Sequence, residues 1–93
     1  MKSKIVAITV GEDYRQKGAH CIKRLTIGHR KDGQPFWHVQ SIDWGYILRS
    51  VAVEDAMDIC NNYSIPYIFD IKHGQPVTPF QRIRLEKYGV TVQ

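Results

Sequence analysis

The sequence predicts an α+β domain, an antiparallel β-sheet with two helices packed on one face, in the order β-β-β-α-β-α-(β). Three observations predict it. Runs rich in β-branched residues fill the first half, a stripe at helical spacing follows over 53–63, and a helix start stands at Thr78. The 93 residues fit a single domain, 1–93, because two would each be too small to support a core. A hydrophobic fraction of 43% excludes a disordered chain. The longest apolar stretch, Ile5–Ile8, falls far short of the ~20 residues that cross a bilayer.

Lys4 to Val10 reads as a strand whose apolarity on both faces suits a central position. The polar, glycine-bounded stretch from Gly11 to Gly18 is a loop. Ala19 to Arg30 and Pro35 to Asp43 form a hairpin about Asp32-Gly33, a pair suited to a two-residue type I′ turn. That turn pairs Lys31 with Gln34, His29 with Phe36, Ile27 with His38 and Leu25 with Gln40. His29 and His38 then become diagonal neighbours on one face.

Trp44 to Ser50 fits either a bend or a short strand. Val53, Ala56, Met57, Cys60 and Tyr63 follow as one helical stripe, with Glu54 and Asp55 near its start. Ile65 to Ile71 is a short aromatic-rich strand. Thr78 as cap, Pro79 at the first helical position and Gln81 closing a capping box start the second helix. Gly89 stops it, and Val90–Val92 offers a last short strand.

Charge is segregated. Residues 1–31 hold eight basic and two acidic side chains, residues 32–71 one and six, and residues 72–93 four and one. Two basic blocks that meet on one face attract phosphate backbones or an acidic protein surface. Cys21 and Cys60 lie far apart in no CxxC, which suits reduced thiols and a cytoplasmic setting.

Catalytic motifs are sparse. The cysteines and serines lie in no nucleophile signature, and no phosphate-cradling glycine loop occurs, so no cofactor is expected. The histidines lack metal-ligand spacing, and His29 with His38 is the one pair the hairpin brings together. Asp70-Ile71-Lys72 places an acid and a lysine on one side of a strand, followed by a glycine turn and a helix carrying Gln81. Residues 66–93 thereby resemble the tail of the VRR-type branch of the PD-(D/E)xK nucleases. The resemblance implies Asp70 as a Mg²⁺ ligand, Lys72 as the catalytic cation and Gln81 as a supporting residue. The second metal-binding acid of that family has no counterpart before Tyr67, the nearest strand-end acid being Asp43.

Basic residues interleaved with aromatics give the favoured reading, a non-catalytic module for nucleic acid or a nucleic-acid-processing protein. The expected contact residues are Arg15, Lys17, Arg30, Lys31, Arg82, Arg84 and Lys87, with Trp37 or Trp44 stacking on bases. Lys23, Arg24 and Phe36 lie on the same hairpin. The alternative is an accessory or inhibitory protein of a mobile element, docking on a host nucleic-acid enzyme through protein contacts.

Overall fold

The computed structural model describes residues 4–92, in which β1 (Ala7–Glu12), β2 (His20–His29) and β3 (Pro35–Tyr46) form an antiparallel sheet ordered β1-β2-β3. Helices α1 (Arg49–Tyr63) and α2 (Pro79–Glu86) complete the α+β fold. No helix among the described residues is long and apolar enough to cross a membrane. Two short segments extend the sheet. Residues 66–68 run parallel to β1, Ile8 N donating to Pro66 O (3.1 Å) and Ile68 N to Ile8 O (2.9 Å). That gives β1 a neighbour on each side. Residues 74–77 run along the outer edge of β3, with Trp37 N donating to Gln75 O and Gly74 N to Trp37 O, both at 2.8 Å.

The strand expected over Ile65–Ile71 is thus a single bridge at Tyr67, because Asp70 adopts a left-handed conformation (φ 52°) and turns the chain away. Val90–Val92 forms no strand either, and Val92 packs in the core.

The hairpin is present, but its register differs from expectation by one residue. Gly33 N donates to Arg30 O and Arg30 N to Gln34 O (both 2.9 Å), which closes a three-residue loop. Gly33 at φ 88° supplies the left-handed residue that such a loop requires after its type I turn. His29 therefore faces Pro35, Ile27 faces Trp37 and Thr26 faces His38. A one-residue slip exchanges the faces of the returning strand. Its consequence is that Trp37 joins Leu25 in the core, fully buried.

The two helices pack on opposite faces of the sheet, not on one. Ala52, Ala56 and Cys60 of α1 cluster with Ile8, Val10 and Ile22, whereas Leu85 of α2 clusters with Ala7, Leu25 and Trp37. The reason lies in β1, where alternation points Ala7 and Ile8 to opposite sides and both are buried. A strand apolar on both faces needs cover on both. Within α1 the buried stripe is also rotated from the expected one. The small residues Ala52, Ala56 and Cys60 let the helix approach closely, leaving Met57 and Tyr63 exposed. The helix begins at Arg49, so Glu54 and Asp55 lie beyond its first turn. In α2 both halves of the capping box form, Gln81 N donating to Thr78 Oγ1 and Thr78 N to Gln81 Oε1.

Candidate functional site

Helix α1 covers only part of its face of the sheet. By rise per residue β2 runs about 30 Å and α1 about 22 Å, and the helix sits over the half bearing Val10 and Ile22. The other half stays open. It presents Arg24, Thr26, Gly28, His38 and Gln40 around a shallow groove of about 580 Å³, with Ile5 at its border. Among the described residues no acidic side chain lines this groove.

The Arg24 guanidinium donates through Nε (2.9 Å) and Nη2 to Gln40 Oε1, which fixes it across the strand pair. Phe36 closes over Gly28, where a Cβ would lie 2.6 Å from Phe36 Cζ, so the ring uses space that only glycine leaves. His73 enters from the strap along β3. Its Nδ1 accepts from Val39 N (3.1 Å), and its ring meets His38 edge-on at 4.8 Å and Phe36 at 6.4 Å. Three rings thus form a row beside Arg24. The hairpin tip adds charge at this end, since Arg30 Nη2 donates to Gly74 O (3.5 Å), next to His73, and Lys31 follows exposed in the turn. The arrangement offers ring faces for stacking, a fixed guanidinium and amide for hydrogen bonds, and exposed cations for phosphate.

Of the residues expected from sequence, Arg30 and Lys31 lie at the hairpin tip, at the same end of the sheet as this groove but outside its lining. Arg15 and Lys17 lie in the loop at the opposite end of the sheet. There Arg15 sits 4.9 Å from the centre of the Trp44 ring, a cation–π contact. Asp13 holds that loop by accepting from Arg15 N (2.8 Å) and Gly45 N (3.0 Å). Trp37 cannot stack on a base, because it is buried beneath α2 with its Nε1 donating to Gln81 Oε1 at 2.8 Å. Arg82 donates to Val92 O (3.1 Å), while Arg84 on α2 and Lys87 at its C-cap lie exposed, the helix covering the other face of the sheet. The expected contact set is therefore divided among three regions.

The nuclease constellation does not assemble. Asp70 and Lys72 lie on an irregular turn, not on a strand, and Lys72 N donates to Gln75 Oε1. Gln81 Oε1 already accepts from Trp37 and Thr78. Among the described residues no three His, Cys, Asp or Glu side chains converge to hold a metal ion, so these residues do not fit the Mg²⁺ site that the resemblance implies. His29 and His38 point to opposite faces under the observed register, and the imidazole beside His38 belongs to His73.

Elsewhere, the Tyr46 hydroxyl lies 2.8 Å from both Asp43 Oδ2 and Asp55 Oδ2 and joins β3 to α1. Burial first, then these two acceptors, push its phenol well above the usual range. Burial likewise pushes the Cys60 thiol up to about 11, with Arg84 opposing the shift. Both cysteines are free and buried.

Sequence reasoning missed Gln40 and Gly28 as lining residues of the groove and His73 as the ring that meets His38. A glycine inside a strand was the available signal, since it marks close approach by another group. No family model, characterised protein or solved structure matches this chain.

Proposed function

We propose that the protein is a non-catalytic module that binds single-stranded nucleic acid on the uncovered half of its sheet. The observation that carries this reading is the row of Phe36, His73 and His38 at a groove that Arg24 and His38 line and that no acidic side chain lines among the described residues. An open sheet face bearing rings is suited to splayed bases, which stack on aromatic side chains while cations follow the backbone. Arg24 and Gln40 offer hydrogen-bonding groups to base edges or phosphate. Arg30 and Lys31 at the hairpin tip supply the sequence-independent attraction. Two free thiols suit a cytoplasmic setting.

The test is fluorescence anisotropy with a short labelled oligonucleotide, single-stranded or duplex. The single strand is expected to bind more tightly, with affinity falling steeply between about 50 and about 200 mM salt. Phe36→Ala is expected to cost about 1–3 kcal/mol, the value of one stacked base. Arg24→Glu weakens binding at every salt concentration. Absence of oligonucleotide binding, or binding unaffected by both substitutions, would refute the reading.

A further inference from the structure

Each helix also carries an outward surface that the sheet does not use. Along α2 and its C-cap the positions i, i+3, i+4 and i+7 are Phe80, Ile83, Arg84 and Lys87, all exposed, Phe80 over 87% of its surface. With Phe69 they border a groove of about 610 Å³ that no acidic side chain lines among the described residues. On α1 the outward residues are Val51, Glu54, Met57 and Asp58, extended before the helix by Ile47 and Leu48, which are 66% and 62% exposed. Single exposed apolar residues are ordinary; adjoining ones on one helix face mark an interaction surface.

The two surfaces complement each other. Phe80, Ile83, Arg84 and Lys87 join apolar side chains to cations, with Glu86 as the one acid of α2, whereas Val51, Glu54, Met57 and Asp58 join apolar side chains to carboxylates, with Arg49 at the start of α1. They belong to helices on opposite faces of the sheet. We infer that the occupant of each is the other surface on a second copy of this chain, in a head-to-tail contact of α2 against α1. Like against like is disfavoured, because Arg84 and Lys87 would face their own copies, as would Glu54 and Asp58. A pair of molecules cannot satisfy both surfaces at once when these lie on opposite sides. The contact is heterologous and propagates into a chain or closes as a ring larger than a dimer. This inference is independent of the nucleic-acid reading, since the groove residues Arg24, Phe36 and His73 belong to neither surface.

Sedimentation velocity on the purified protein without nucleic acid tests it. The weight-average mass is expected to rise past that of a dimer with concentration, and to fall back in about 1 M salt, where charges are screened beyond about 3 Å. Arg84→Glu with Lys87→Glu, and separately Glu54→Lys with Asp58→Lys, each weaken association by about tenfold or more, as reversal of facing charges does. Mixing the two reversed variants restores assembly, because each then offers the surface that the other needs. These side chains are exposed, and circular dichroism verifies that the variants fold. A monomer at all concentrations, a dimer that grows no further, association that survives both reversals, or a mixture that stays monomeric overturns the inference.

Discussion

Gln81→Leu removes the acceptor in α2 that holds the core tryptophan. Gln81 Oε1 receives Trp37 Nε1 at 2.8 Å and Thr78 N at 2.9 Å, so leucine strands an indole N–H in a fully buried site and opens half of the capping box. An unsatisfied buried donor costs about 1–3 kcal/mol. Loss of the capping interaction adds about 1 kcal/mol. Together they make about 2–4 kcal/mol, a large part of the roughly 5–14 kcal/mol expected for a domain of this size. With about 4–8 °C per kcal/mol for a small domain, the midpoint falls by roughly 8–32 °C. Thermal and urea unfolding, followed by circular dichroism and tryptophan fluorescence, measure it. Gln81→Glu keeps an acceptor at the same place and retains most of the stability. Trp37→Phe removes the donor, so the double variant Trp37→Phe with Gln81→Leu costs less than the two single changes together. Additivity within about 0.5 kcal/mol, the behaviour of independent sites, refutes the reasoning.

Three further outcomes follow from the packing. Gly28→Ala drives the Phe36 ring off the sheet, costing about 1 kcal/mol of stability but most of the stacking, so it lowers oligonucleotide affinity more than melting temperature. Tyr46 has its phenol raised in the folded state, so its contribution is complete below the ordinary pKa of about 10 and is lost as pH rises beyond it. Tyr46→Phe is therefore expected to flatten the decline of stability with pH above about 10, and an unchanged slope contradicts the Asp43–Tyr46–Asp55 linkage. Cys60, buried with a thiol pushed up to about 11, resists iodoacetamide at neutral pH in the folded protein, as does buried Cys21; mass spectrometry should find both alkylated after denaturation.

Features determined by neighbouring residues were legible in the sequence. The α2 start is one, because Thr78, Pro79 and Gln81 act within a single turn. The hairpin is another, although Asp32-Gly33 serves a two-residue or a three-residue loop equally well. Burial of Trp37 against Leu25 favours the longer loop, and that preference is tertiary. A helical stripe shows that α1 and α2 each bury a side, not which face of the sheet they cover. The clue was β1, whose apolarity on both faces demands two covers. The groove was the least legible feature. Its rings come from β3 and from the strap that carries His73, and the strap is placed by backbone bonds to Trp37 that no local pattern encodes.

The most direct measurement is a titration of ¹⁵N-labelled protein with a short single-stranded oligonucleotide, followed amide by amide. Binding on the uncovered half-sheet moves the signals of Arg24, Thr26, Gly28, Phe36, His38, Gln40 and His73 together, and leaves Glu54, Asp58, Ile83 and Lys87 in place. Shifts confined to the helices, or to the Arg15–Trp44 end of the sheet, contradict it.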